Sequence, residues 1–175
     1  MHTTQSVFTI RPLSRNDAES LTEYYAALSD ESRRRYAPHA FNPGEIRRLF
    51  SADDSPYCPW GAFAGDTLIA YTIIFRGHLP HDAERIAAYG HPLNAAQDAF
   101  YAPSVADAYQ AAGIAGQMLA VIENGLRNDG VRQLLLWGGV QATNARARRF
   151  YAKQGFVELG QFEYQGMNVD MAKLL

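Results

Sequence analysis

The stretch that most constrains the fold is Val105 to Leu119, reading V-A-D-A-Y-Q-A-A-G-I-A-G-Q-M-L. An extended approach is followed by a run of small residues. Apolar residues then recur at helical spacing (Ile114, Met118, Val121 and Ile122), which predicts an amphipathic helix. Ala111, Ala112, Gly113, Ala115 and Gly116 stand where that helix should begin. A helix start leaves backbone N–H groups without intrahelical partners and carries the positive end of the macrodipole. Small side chains let an anion approach those N–H groups, and phosphate is the usual guest. The same residues would also let a helix pack closely on a sheet, so the stretch alone marks a strand–turn–helix unit with an anion-binding option.

The rest of the chain limits the classes of function. Its 175 residues are enough for a single domain with one well-buried core. A hydrophobic fraction of 47% and a charged fraction of 19% are those of a soluble globular protein. Sixteen Lys and Arg against 18 Asp and Glu give a net charge of -2, so no overall pull toward nucleic acid or anionic membrane is expected. The single cysteine, Cys58, excludes an intrachain disulfide framework and a cysteine-based zinc cluster. No apolar run reaches the roughly 18 residues of a membrane span, and the N-terminus shows no apolar leader. The expectation is a cytoplasmic enzyme or binding domain with neither a nucleic-acid nor a membrane partner.

In chain order, Phe8 to Arg11 reads as a short strand stopped by Pro12. Ser14 or Asn16 can cap a helix to about Leu28, and Ser29 or Asp30 a second short one. Asn42-Pro43 opens a third. Trp60 to Phe63 and Leu68 to Phe75 flank Ala64-Gly65-Asp66-Thr67, a hairpin signal. Residues 77–97 are ambiguous between a loop and one or two helical turns ended by Gly90. Phe100 to Val105 reads as a strand in which Pro103 precludes a full central ladder. Arg132 to Trp137 is an apolar strand released by Gly138-Gly139. A helix from Thr143 or Asn144 to Gln154 ends at Gly155. Phe156 to Tyr164 and Met167 to Leu174 form a terminal hairpin around Gln165-Gly166.

Two of these segments carry a resemblance. Gln110-Ala-Ala-Gly113-Ile-Ala115, with Val105 and Leu119 as apolar anchors, resembles the Arg/Gln-x-x-Gly-x-Gly/Ala signature of the GNAT acyltransferase family. Asn144 to Phe156, N-A-R-A-R-R-F-Y-A-K-Q-G-F, resembles that family's later Asn-then-Tyr helix, and the two motifs come in the family's order. The resemblance implies one α/β domain over residues 1–175, with a central mixed, mostly antiparallel sheet splayed near the cofactor site and flanked by helices. It implies acetyl-CoA as acyl donor, no metal, and an amine acceptor. Its cofactor-binding set would be Val105, Gln110, Ala111, Ala112, Gly113, Ile114, Ala115 and Gly116, with the pyrophosphate on the N–H groups of residues 111–116. Asn144 and Tyr151 would join that set, and Tyr151 would also act as general acid.

The general base stays open at this level. Where many relatives carry a Glu, this chain has Phe100. Asp98 lies two residues earlier and so on the same strand face, which makes it a candidate. Tyr101, Ser104 and a water chain are alternatives. Without a dedicated base, a non-catalytic acyl-CoA-binding or regulatory domain is the second reading.

The acceptor side is expected to draw on Tyr24, Tyr25, Tyr36, Trp60, Tyr71 and the histidines. His39, His78, His81 and His91 fit no compact metal-ligand spacing. Arg33-Arg34-Arg35, beside Asp30 and Glu31, reads as a solvated helix face. The terminal hairpin could pair across a homodimer. Whether the acceptor is a small molecule or a peptide is not written in the residues.

Overall fold

A computed structural model of the chain describes residues 8–50 and 55–175. The reading of the N-terminus as lacking a leader falls partly on residues outside that range. The described elements are β1 (Thr9–Pro12), α1 (Ala18–Ala27), α2 (Asp30–Arg35), α3 (Pro43–Leu49), β2 (Tyr57–Ala64), β3 (Thr67–Arg76) and α4 (Pro80–Ala88). They continue with β4 (Asp98–Val105), α5 (Ile114–Asn128), β5 (Gln133–Leu136), β6 (Val140–Gln141), α6 (Ala145–Lys153), β7 (Val157–Glu163) and β8 (Met167–Leu174). The class is mixed α/β, with an open, mostly antiparallel sheet whose strand order is β1-β2-β3-β4-β5-β8-β6, β7 pairing with β8. Described pairs are antiparallel for β1–β2, β5–β8, β6–β8 and β7–β8, and parallel for β4–β5.

The described residues gather into two compact units, one within Met1–Ile73 with Pro103–Val121, the other within Ile74–Ala102 with Ile122–Leu175. In the first, local chemistry sets the helix boundaries. Ser14 opens a short 3-10 turn at Arg15–Asp17, where the Asp17 carboxylate accepts from the Ser14 N–H at 2.7 Å. Ser29 Oγ accepts from the Ser32 N–H at the start of α2, and Asn42 Oδ1 from the Glu45 N–H at the start of α3. These are side-chain caps for otherwise orphaned donors. Leu21, Leu28, Ile46 and Leu49 are buried behind them.

In the second unit, Phe100, Leu135, Ala172 and Ile86 form a buried cluster, with Phe75, Leu79, Tyr89 and Trp137 packed against it. The segment that was ambiguous in sequence contains a helix of nine residues, α4, with Pro80 in its first turn and Gly90 at φ +75° after it. A buried ion network fastens that helix. Arg85 Nε donates to Asp170 at 2.6 Å and Nη2 to Asp82 at 2.8 Å, while the Asp82 carboxylate also accepts from the Gly138 N–H at 2.9 Å. Tyr89 Oη donates to the same Asp170 at 3.0 Å. Its ring occupies the space a Cβ on Gly160 would need, 2.5 Å from the nearest ring carbon. Gly160 lies beside a bulge in the β7–β8 ladder, so the local backbone irregularity and the close ring contact occur together.

Candidate active site

The registered pairing of β4 with β5 runs from Asp98↔Gln133 to Tyr101↔Leu136. It reaches no farther than two residues before Pro103, which has no N–H to offer a ladder. Beyond Val105 the chain makes a 3-10 turn at Asp107–Tyr109 and then enters α5. The helix starts at Ile114, later than the small-residue run suggested, because Ala111 (φ +65°) and Gly113 (φ +79°) both adopt left-handed backbone. Glycine takes that conformation freely, whereas alanine does so only when its surroundings impose it. Gln110 closes the turn: its Nε2 donates to the Val105 carbonyl at 3.3 Å.

The bond from the Gln117 N–H to the Gly113 carbonyl, 3.2 Å, belongs to the first turn of α5. The N–H groups of Ile114, Ala115 and Gly116 precede it and have no earlier helical carbonyl to bind. No acidic side chain lies in this first turn. An anion would therefore meet backbone donors and a favourable dipole with no opposing carboxylate. The buried face of α5 carries Ile114, Met118, Leu119, Ile122 and Leu126. Val121, expected on that face, is 42% exposed. At about 100° per residue it falls on the flank of a stripe centred between Met118 and Ile122.

In the same unit, Tyr24 Oη of α1 lies 2.6 Å from Ser104 Oγ. Tyr71 is fully buried, with its hydroxyl 2.8 Å from His39 Nε2. Tyr36, Phe41 and Tyr24 surround the Tyr71 ring at centroid distances of 6.1, 6.1 and 6.4 Å. Burial lowers the His39 pKa, and burial pushes the Tyr71 and Tyr24 phenols well above their ordinary values. Trp60, also named for the acceptor side, lies in β2 opposite Pro12.

In the second unit, α6 begins at Ala145 with Asn144 as its N-cap, Oδ1 accepting from the Ala147 N–H at 3.2 Å. Tyr151 follows on the buried face, 9% exposed, edge-on to Phe150 and Phe156 at 5.3 and 5.5 Å. Burial alone raises its pKa far above the phenol range, so it carries its proton throughout the neutral region. Gly155 ends the helix at φ +90°, as the sequence pattern predicts. Arg148 pairs with Glu158 at 2.6 Å, consistent with a solvated helix face.

The candidate base, Asp98, is 4% exposed and bonded on both oxygens. Oδ2 accepts from the Asn94 N–H at 2.6 Å and lies 2.9 Å from His78 Nε2, while Oδ1 accepts from Gln133 Nε2 at 3.2 Å. Gln133 Oε1 in turn lies 2.7 Å from His91 Nε2. Tyr101, another alternative, is 1% exposed, and among the described residues its hydroxyl has no hydrogen-bond partner. Its pKa is raised well above the ordinary value by burial, with Tyr151 and Glu123 adding to the effect.

Val105, Gln110, Ala111, Ala112, Gly113, Ile114, Ala115 and Gly116 thus stand together in the first unit, and Asp98, Asn144 and Tyr151 in the second. The residue that sequence reasoning passed over is Asp107. Its carboxylate accepts from the Ser29 N–H at 2.9 Å, Ser29 Oγ at 3.0 Å, Ser32 Oγ at 2.6 Å and Gln110 Nε2 at 3.4 Å. Its serine partners lie 78 and 75 positions away along the chain, where no local spacing could pair them.

Comparison with known proteins agrees with this architecture. Among curated proteins none matches the chain. The GNAT domain of Streptomyces lividans PAT is 26% identical, with a TM-score of 0.75 over 95% of this chain and 89% of that one. The Escherichia coli ribosomal-protein-S18-alanine N-acetyltransferase shares the fold at 19% identity and TM-score 0.65, over 96% and 94% of the two chains. An aminoglycoside acetyltransferase in complex with coenzyme A does so at 17% identity and TM-score 0.69, over 96% and 95%. The family model described as "Acetyltransferase (GNAT) family" matches residues 21–156, a span that takes in the α5 start and the Asn144–Tyr151 helix alike. On that match the chain belongs to the GNAT acetyltransferase family.

Proposed function

We propose that the chain is a single-domain acetyl-CoA-dependent N-acetyltransferase that passes an acetyl group to an amine acceptor, either a small molecule or a peptide. The observation that carries the reading is the start of α5. There the N–H groups of residues 114–116 precede the first intrahelical bond, next to left-handed Gly113 and without a carboxylate in the turn. Those features fit the pyrophosphate of coenzyme A, which would be held by main-chain donors. The bound thioester supplies the activated acyl group, and the protein supplies position and electrostatics.

Val105, Gln110, Ala111 and Ala112 shape the turn that presents the cradle. Tyr151 is proposed as general acid, acting by giving a hydrogen bond to the departing sulfur. A phenol with so high a pKa stays protonated but gives up its proton reluctantly, so hydrogen-bond donation is the larger share of its role. Asn144 is proposed to contact the pantetheine arm with the groups its capping bond leaves over. The bonds on both oxygens of Asp98 support a brace for the loop before β4, so a water-assisted deprotonation of the acceptor is the better account. The same observation keeps a second reading alive, a regulatory domain that binds acyl-CoA without turnover.

A thiol-release assay with acetyl-CoA and a panel of amines tests the proposal. Amine-dependent thiol release by the wild type is expected, with none beyond background when any amine is omitted. Saturable CoA binding with no release across small amines, peptide N-termini and lysine peptides would favour the regulatory reading.

A further inference from the structure

The α1–α2 helix pair hangs on the cofactor segment by two groups of hydrogen bonds, both inside the first unit. Ser104, near the end of β4, meets Tyr24 of α1 at 2.6 Å. Asp107, in the turn that follows, takes the Ser29 N–H, Ser29 Oγ and Ser32 Oγ at the start of α2. The second group is arranged around a single carboxylate. Ser29 Oγ also caps α2 by accepting from the Ser32 N–H at 3.2 Å, so the cap and the clamp share one hydroxyl. Gln110 then ties Asp107 to the Val105 carbonyl, since its Nε2 reaches both oxygens, at 3.4 and 3.3 Å. Hydrogen bonds to Ser32, Ser29 and the Ser29 N–H hold the Asp107 carboxyl below its ordinary pKa, so it is charged and a strong acceptor at neutral pH.

We propose that Asp107 is a positioning residue that couples occupancy of the α5 cradle to the order of the α1–α2 helix pair. The inference rests on the acyl-CoA reading given above. Three residues separate Asp107 from Ala111, whose left-handed backbone persists only while its surroundings hold it. An anion bound to the N–H groups of residues 114–116 prefers the loop conformation that presents them. That preference is transmitted to Ser29 and Ser32, because the same conformation faces the Asp107 carboxylate toward them. A ligand shifts such an equilibrium only through its differential affinity for the two states, and the coupling is reciprocal. A group bound against α1 or α2 would therefore tighten CoA in turn. The pair α1–α2 becomes a part of the acceptor side that is set in place by the donor.

Amide hydrogen exchange on the full chain, with and without CoA as the probe, tests this. In the wild type, CoA should slow exchange at the Ser29 and Ser32 amides. Asp107→Ala should abolish that CoA-induced slowing while CoA still raises the melting temperature, with Kd for CoA weakened by about five-fold or more. Ser32→Ala, which removes only the 2.6 Å bond, should diminish the slowing without abolishing it. A merely structural Asp107 would lower protection equally with and without CoA, and the same CoA-induced slowing in Asp107→Ala would overturn the proposal. Wild-type protein that CoA stabilises without any change at residues 29–36 would also overturn it. No stabilisation by CoA at all would overturn the acyl-CoA reading, and this inference with it.

Discussion

His39 Nε2 lies 2.8 Å from the Tyr71 hydroxyl, while its Nδ1 lies 3.0 Å from the Ala40 carbonyl. A carbonyl can only accept, so Nδ1 carries a proton, and in the neutral ring Nε2 accepts from the Tyr71 hydroxyl. Burial disfavours a second proton, so near neutral pH the ring is uncharged in the folded chain. Burial lowers its pKa below 6.5, with Glu45 opposing and Arg48 reinforcing the shift.

That arrangement has a pH consequence. The unfolded histidine binds a proton more readily than the folded one, so its contribution to stability is complete above about pH 6.5. It is lost as pH falls through that value toward the folded pKa. Asp17, held at about 2 chiefly by its hydrogen bond from Arg11, does not titrate in this window. Urea denaturation near pH 7.5 and near pH 5.5 should show a larger loss for the wild type than for His39→Gln. Equal losses would remove His39 from the account.

Tyr151→Phe should leave CoA binding intact and lower turnover by about ten- to a thousand-fold. The phenyl ring preserves the edge-on contacts with Phe150 and Phe156, so stability should change little. Steady-state kinetics with any acceptor that supports thiol release provides the readout. Unchanged turnover would assign Tyr151 to packing alone.

Much of the candidate site was legible because its signals are local. The Asn144 cap, Tyr151 and Gly155 follow one another on a single short helix, and the small residues before Ile114 announce a helix start. The Asn42-Pro43 opening and the Gly65-Asp66 turn were equally readable. Long-range partners were not. Asp98 looked like a strand-face carboxylate, and only the folded chain shows His78, Gln133 and the Asn94 N–H closing around it. Asp107 carries no local signal, because its partners Ser29 and Ser32 lie 78 and 75 positions away in the chain. Val121 was misassigned because an apolar residue on the flank of a helical stripe keeps the period while facing water.

The Arg85 network should be unforgiving. Asp170 is fully buried and bonded to Arg85 and Tyr89. Asp170→Ala leaves the guanidinium with Asp82 and an emptied site, which should cost roughly 3–5 kcal/mol in chemical denaturation. A loss below about 1 kcal/mol would show that the network is solvated in practice.

Gly160→Ala tests the close approach of Tyr89. The added methyl meets a ring whose hydroxyl is already committed to Asp170, so the ring cannot swing away without breaking that bond. A destabilisation of roughly 1–3 kcal/mol is expected from denaturation midpoints. In the double variant with Tyr89→Ala the penalty of the alanine should largely disappear.

Backbone N–H groups at the start of α5 are proposed to hold the phosphates of coenzyme A. Titration calorimetry of CoA against the wild type and Gly116→Glu tests it most directly, because the variant puts a carboxylate into a first turn that has none. Wild-type binding should be saturable and at least about ten-fold tighter than in the folded variant, as expected when a like charge faces the anion. Equal affinity in the two proteins, or no CoA binding by folded wild type, would contradict the account.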